Sequence, residues 1–507
     1  MHKFRIQTGS PSRTQELHLS LSKAGKKRFI NISNQILFFL KRKCEKQSFK
    51  NSKSIFLKIL ERNMIEVCAV GGYSEVGKNM TAVKIDDEVL IFDMGVFLPA
   101  IINYEEEGND RNNLDREGMI HLGAVPDDSC IDDWKDKVKG ILVGHCHLDH
   151  IAAIPYLAER YKAPIYGSPF TIEVIRQMLN DEDKNIKNPL KAVNINSKVN
   201  ISKKITAEFI NITHSTLQTT IIAVHCKYGT LIYANDFKFD NHPVLGTKPN
   251  IKRLRELGNG NVILLILDSL YANIEMKTPS EKVARELLRD VMLDTECKDS
   301  LIIATTFASH IPRIKSVMDF AAVMRRKVVI FGRSMMKYIA SAEKCKLIDF
   351  SKKAEIIPYA RHITRKLKDI EKNRKKYVLI VTGNQGEPDS VLSKMLDGRL
   401  PFRFEPADHV IFSTKVIPDP INLANRKKME EKLRERRVRI FTNIHVSGHA
   451  SREDHRDTLK ILKPKYVMPA HDGRKKQLFM KELAMEEGWK EDKVLLMDDG
   501  KKVSLEI

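Results

Sequence analysis

From residue 64 the chain is written in short apolar runs broken by Gly-containing turns. IEVCAV, GGYSEVGKN, MTAVKI and VLIFDMG follow one another, a texture that predicts β-strands and the start of a folded domain. Beyond Gly140 strands alternate with helices: ILVG leads into a His-rich loop and a helical AAIPYLAERY, and APIYGSP into a helical TIEVIRQML. This is an α/β layout. FINITHS, TTIIAVHC and TLIYANDF add further strands. A second series, NVILLILDS, LIIATTF, KVVIFG, YVLIVTGNQG and HVIFST, reads as buried strands that each open into a polar or Gly-rich turn. Helical stretches at 280–293 and 311–324 supply the crossovers that a parallel sheet requires. The last stretch, RIFTNIHVSGHA, REDHRDTLKIL, YVMPAHDG and VLLMDDG, returns to the style of residues 64–240. The simplest architecture therefore inserts one domain, 244–430, within another built from 64–243 and 431–507.

Composition sharpens this picture without changing it. A chain of 507 residues is too long for one ordinary domain, and 42% hydrophobic with 30% charged residues excludes low-complexity and largely disordered classes. The formal charge of +21 favours polyanions, nucleic acid or anionic lipid, as partners. It is concentrated: residues 1–63 hold 15 Lys/Arg against 3 Asp/Glu, about +12 of the total. Within this basic leader, residues 29–40 are uncharged but shorter than the roughly 20 residues of a bilayer span, and no cleavage signature follows, so neither a membrane span nor a signal peptide is expected. Because residue 64 is itself Met, the leader reads as disordered or untranslated, with a basic nucleic-acid-binding arm as the alternative. The seven Cys residues are scattered and lack a Cys-x-x-Cys, which signals neither disulfides nor a thiolate zinc site and points to a reducing cytoplasm.

The sharpest chemical signal is HCHLDH at 145–150, between the strand ILVG and a helix. His145, His147, Asp149 and His150 place three imidazoles and a carboxylate in one tight loop, a donor set suited to Zn²⁺ and too large for a single ion. Three isolated residues at other strand ends extend it: His214 closes FINIT, Asp236 follows TLIYAN and His471 follows YVMPA. Seven donors fit two adjacent cations, with one carboxylate bridging.

With these motifs in view the sequence resembles the β-CASP group of metallo-β-lactamase-fold nucleases, and within it the archaeal type of ribonuclease J. HCHLDH, TFASHIPRI, FGRSM, TGNQGEPD, DHVIFSTKVIPDP, IHVSGHA and PAHDG occur in order over almost all of residues 64–507. The resemblance implies an αββα sandwich with an inserted β-CASP α/β domain containing a parallel sheet. It also implies two Zn²⁺ per chain, one held by His145, His147 and His214, the other by Asp149, His150 and His471, with Asp236 bridging. Asp93, ending VLIFDMG, would orient a metal-site loop without binding zinc. His449 would be the general acid, held by Asp268, with Asp149 counted beside them among the catalytic residues. Two departures stand out: Asn235 replaces the commoner Gly before the bridging Asp, and PAHDG replaces Pro-x-His-Gly.

For the substrate, the resemblance implies single-stranded RNA, His471 standing where DNA-cutting relatives carry an apolar residue. Ser309 and His310 precede a helix start, and Arg333 and Ser334 offer a cation and a hydroxyl. His445, Val446, Ser447 and Gly448 would form the facing wall of a pocket for a 5′-terminal monophosphate, favouring 5′→3′ exonuclease action in RNA decay and maturation. The basic segment 351–376 is either an electrostatic guide for the strand or a solvated helix face. A homodimer and an RNA-decay helicase stay open as partners. The rival readings are an RNA 3′-end-processing endonuclease of the same superfamily, a non-catalytic RNA-binding subunit and a small-molecule zinc hydrolase.

Overall fold

The computed structural model describes residues 65–297, 299–417 and 420–507. The expectations for the basic leader lie outside them. In chain order the strands are β1 (Ile65–Gly71), β2 (Met80–Ile85), β3 (Glu88–Phe92), β4 (Val138–Leu142), β5 (Ile165–Gly167), β6 (Leu190–Ala192), β7 (Ser197–Asn200), β8 (Thr206–Asn211), β9 (Thr220–Cys226) and β10 (Gly229–Ala234). They continue as β11 (Val262–Asp268), β12 (Ile302–Thr305), β13 (Lys327–Phe331), β14 (Ala354–Ile357), β15 (Tyr377–Val381), β16 (His409–Phe412), β17 (Arg439–Phe441), β18 (Tyr466–Ala470) and β19 (Lys501–Leu505).

Three sheets result, ordered β19-β1-β2-β3-β4-β5-β6, β18-β11-β10-β9-β8-β7 and β14-β13-β15-β12-β16-β17. The two-residue period of a strand sorts its side chains between layers. In β1, Val67 and Ala69 enter a core shared with Phe209, Tyr233 and Ile266 of the second sheet, while Cys68 and Val70 face helices on the outside. The outer face of the second sheet is closed by the helices Ile251–Gly258, Arg452–Leu462 and Arg474–Glu486. These four layers make the expected αββα sandwich. The third sheet is parallel throughout. Helices cover both of its faces, which is why its strands read as unbroken apolar runs.

Strand membership departs from the sequence reading in two places. NVILLILDS, taken as the opening strand of the parallel series, is β11 and lies in the second sheet of the sandwich, parallel to both β10 and β18. All seven of its residues are buried, and a run apolar on both faces looks the same in either sheet. RIF of RIFTN, read with the returning segment, is β17 at the edge of the third sheet. Thus 262–268, inside the expected insertion, belong to the sandwich, and 439–441, inside the expected return, belong to the third sheet. The helix expected over AAIPYLAERY is two single turns, Leu148–Ile151 and Ile154–Leu157, and a 3₁₀ turn, Ala158–Arg160. Pro155 has no N–H to continue the first turn and opens the second. Among the described residues no helix is long and apolar enough to cross a membrane.

Candidate metal centre

Strands β1, β3, β4, β8, β10, β11 and β18 run the same way, so their carboxyl ends meet along one edge of the sandwich. Each apolar strand is anchored in the core and releases its first polar residues there. Asp93, Asp236 and His471 lie just beyond β3, β10 and β18 in the left-handed region, with φ of 58°, 48° and 65°. Such strained turns at non-glycine residues persist where surrounding contacts hold them, commonly at functional sites.

All seven expected ligands come together at this edge. His145 Nε2 and His214 Nε2 lie 3.0 and 3.1 Å from His147 Nδ1, and 3.4 and 3.5 Å from Asp236 Oδ2. A tetrahedral site with donor bonds of about 2.0–2.1 Å has edges of about 3.3–3.4 Å, so these four atoms fit one cation. His150 Nε2 is 3.4 Å from both Asp149 Oδ2 and Asp236 Oδ2. His471 Nε2 is 3.8 Å from Asp149 Oδ2 and 3.4 Å from Asp236 Oδ1. Asp236 is thus the donor common to both groups. Its Oδ1 is buried without a hydrogen-bond partner, a costly state for a carboxylate oxygen that a cation would relieve.

Electrostatics agree with the fit. Burial, reinforced by neighbouring imidazoles, holds the pKa of His145 below, and of His147 and His214 well below, that of free histidine, leaving neutral rings with lone pairs to donate. Burial works against ionisation of Asp236 and Asp149, but the surrounding imidazoles outweigh it, and both are held as carboxylates. A divalent metal fits this donor set.

The outward nitrogen of each of four candidate ligand rings is engaged, which fixes its tautomer. His150 Nδ1 bonds to Asp93 Oδ2 at 2.7 Å, and Asp93 also accepts from the Tyr233 hydroxyl and the Gly144 amide. His214 Nδ1 donates to the carbonyl of Gly448 at 2.7 Å. A methyl group on Gly448 would stand 2.9 Å from that ring, so a larger residue would displace it. His147 Nε2 lies 3.1 Å from Ser309 Oγ. His471 Nδ1 donates to Asn79 Oδ1 at 2.9 Å.

Asn79 escaped the sequence reading. Its amide also donates to the carbonyl of Asp149 at 3.0 Å and its Oδ1 accepts from Asn235 at 3.0 Å, so one side chain ties GGYSEVGKN to the HCHLDH loop and to the ends of β10 and β18. Asn235, the departure from the commoner Gly, is thereby one of its partners. The position of Asn79, last in a Gly-containing turn before β2, was the only local signal. Nearby, a Cβ at Gly95 would fall 1.5 Å from the Asp149 carbonyl, a close approach that only glycine permits. Asn79→Ala is expected to weaken metal affinity by about 10–100-fold. Competition against a chromogenic chelator measures it, and an unchanged constant would contradict the orienting part given to Asn79.

His449 stands beside the cluster with Nδ1 2.8 Å from Asp268 Oδ2 and Nε2 3.9 Å from Asp236 Oδ2. Burial favours its neutral form, but Asp236 and Asp268 prevail and raise its pKa to about 9. The residues expected to hold phosphate divide. His310 and His445 are largely buried, each with Nδ1 unpartnered, and burial takes both pKa values down to about 3. Ser447 Oγ accepts the His449 amide at 3.0 Å, and Val446 is buried. Ser309 is engaged with His147, as above. Arg333 and Ser334 are exposed at the start of the helix Arg333–Lys344. Of the basic segment 351–376, residues 354–357 are β14 and 360–372 the helix Ala360–Lys372, which buries Ile363, Leu367 and Ile370 and turns its cations outward.

Comparison with known proteins gives the family. The family model "Ribonuclease J, beta-CASP domain" matches residues 299–430 and "Zn-dependent metallo-hydrolase RNA specificity domain" matches 434–492. "Metallo-beta-lactamase superfamily" matches 74–177. Ribonuclease J of Methanocaldococcus jannaschii is 41% identical over 446 residues, covering 87% of this chain and 99% of that protein. Ribonuclease J of Pyrococcus abyssi is 42% identical over 431 residues, 85% and 94% of the two chains. Ribonuclease J 1 of Streptococcus pyogenes serotype M3 is 31% identical, covering 88% and 75%. A crystal structure of a protein of unknown function from Enterococcus faecalis V583 shares the fold, with a TM-score of 0.61 at 16% identity over 87% of this chain and 100% of that one. Kinship of this extent, on a chain whose candidate metal-ligand side chains converge, means that the protein belongs to the ribonuclease J family and is a metal-dependent ribonuclease.

Proposed function

We propose that the enzyme degrades single-stranded RNA in the 5′→3′ direction, favours a 5′-terminal monophosphate, and works in the cytoplasm with two Zn²⁺ per chain. In this reading residues 65–270 and the segment after β17 form the catalytic sandwich, and the third sheet with its helices forms the substrate-covering domain. One observation carries the directional part. His310 and His445, from two different segments, are largely withdrawn from solvent, and their Nδ1 atoms find no partner among the described residues. His310 follows Ser309, which touches the ligand His147, and His445 begins the segment that ends at His449. Two imidazoles with a free Nδ1, that of His310 keeping its Nε2 3.6 Å from Glu281, would suit a terminal phosphate set one nucleotide back from the cut, where the exposed Arg333 and Ser334 would close the outer side.

When bound, the two cations supply charge neutralisation at phosphorus and an activated water at neutral pH. The chain's own residues do the rest. Asp236 and the six other ligands set the positions of the cations, and the outer partners Asp93, Asn79, Ser309 and Gly448 hold those ligands. His449, with Nδ1 committed to Asp268, presents Nε2 to the leaving 3′ oxygen and gives it a proton as the phosphorus–oxygen bond breaks. The products are a 5′-mononucleotide and a strand with a new 5′-phosphate.

The test uses RNAs carrying 5′-monophosphate, 5′-triphosphate or 5′-hydroxyl and labelled at either end. Mononucleotides are expected from the 5′ end, fastest from the monophosphate, and His310→Ala is expected to narrow that preference. Release of mononucleotides from the 3′ end would overturn the proposed direction.

A further inference from the structure

Arg313, on the helix Ile311–Val323, is one of the largest fully buried side chains of the protein, and no step described so far uses it. Its Nε and Nη2 donate to the two oxygens of Glu281 at 2.6 and 2.9 Å. Its Nη1 donates to the carbonyl and hydroxyl oxygens of Ser413, just beyond β16, and to the carbonyl of Ile444 at 3.0 Å. Ser413 Oγ donates to the same Ile444 carbonyl at 2.9 Å. Glu281 stays ionised against burial because Arg313 and His310 hold its pKa down to about 2.

Both ends of this fork lead to the metal centre. The amide of Glu281 donates to Asp240 Oδ2 at 2.7 Å, and the amide of Asp240 donates to the hydroxyl of Thr213, the residue before His214. On the other side Ile444 opens the segment that runs to Gly448, whose carbonyl accepts from His214 Nδ1, and to His449. Apolar residues of equal volume would cost less to bury than this ion pair. What a guanidinium adds is direction, a rigid planar set of donors aimed at three separate segments.

We infer that Arg313, clamped by Glu281, is a positioning residue for proton delivery: by holding the Ile444 carbonyl it sets the 444–449 segment, and with it the place of His449 Nε2 against the leaving 3′ oxygen. The inference rests on His449 being the acid, as proposed above. A misplacement on the ångström scale at a reacting group costs about 100-fold. That loss should fall on substrates whose leaving group needs a proton and spare those whose leaving group does not.

The experiment compares the full chain with Arg313→Lys, Glu281→Gln and His449→Ala on 5′-monophosphate RNA and on bis(p-nitrophenyl) phosphate, whose leaving phenolate departs unprotonated, with metal content measured for each. Arg313→Lys is expected to lower the ratio of RNA turnover to aryl ester turnover by about 10–100-fold, through kcat with KM little changed, at wild-type metal content. Glu281→Gln keeps one of the two acceptor oxygens and turns an N–H toward the guanidinium in place of the other, and is expected to lower the ratio as well, by a smaller factor. Equal losses on both substrates, or none on RNA, would overturn the inference. If Arg313→Lys does not fold, Glu281→Gln and Ser413→Ala decide it by the same ratio. His449→Ala separates the two failures: a wild-type ratio there removes the acid itself, whereas a collapsed ratio there with intact ratios in the Arg313 and Glu281 variants removes only the positioning claim.

Discussion

Asp236→Asn is expected to slow RNA cleavage by about 10⁴-fold, the scale of the several kcal/mol that bound cations contribute at phosphorus, and to lower the retained metal while the fold persists. Asp236 is the one donor that belongs to both ligand groups. Its Oδ2 is within 3.5 Å of the ligand nitrogens of His145, His150 and His214, and its Oδ1 is 3.4 Å from His471 Nε2. An amide of the same shape carries no charge and offers a single oxygen, so one group loses its carboxylate and meets an N–H in its place. Asparagine tolerates the left-handed backbone at this position, where φ is 48°, so lost activity will not reflect a broken turn. Metal analysis after desalting, initial rates on end-labelled RNA and a circular-dichroism melt together make the test. Full metal content with a wild-type rate would refute the bridging arrangement.

How much of this site could be read in advance depended on how far each signal travels along the chain. HCHLDH is local, so four candidate ligands were visible in six consecutive residues. His214, Asp236 and His471 were visible because each ends an apolar strand, and parallel strands deliver their ends to one edge. Asn79 carried no comparable mark: its meaning lies in a bond to His471, 392 residues away. Arg313 was hidden for the opposite reason. A cation in a helix is ordinarily solvated, and nothing in IPRIKSV shows that position 313 is enclosed by Glu281, Ser413 and Ile444. The sheet that takes NVILLILDS was equally hidden, because uniform burial removes the alternation that would mark a face. Ser309, expected at a phosphate, lies against His147 because the covering domain reaches the metal loop itself, a contact between segments 162 residues apart.

His449→Ala is expected to reduce kcat on RNA by at least about 100-fold with metal content unchanged. The setting of this ring beside the proposed ligands has three parts. Its Nε2 stands 3.9 Å from Asp236 Oδ2, farther than the ligand nitrogens of His145, His150 and His214 stand from that oxygen, which lie at 3.4–3.5 Å. Its Nδ1 is bonded to a carboxylate, Asp268, whose other oxygen accepts the amide of Leu270 at 2.7 Å, so the pair is held as a unit. The ring is also wedged between His214 and His471, with centroids 4.9 and 5.5 Å away, and keeps its side chain 19% exposed. Removing the imidazole would then remove the proposed proton donor and leave the proposed ligand set in place. Asp268→Asn keeps the shape of the partner but not the charge that favours the protonated ring, and its rate should fall between the wild type and His449→Ala. If His449→Ala lost metal in step with activity, His449 would be a ligand, and if it cleaved RNA at the wild-type rate, the proton would have to come from another group.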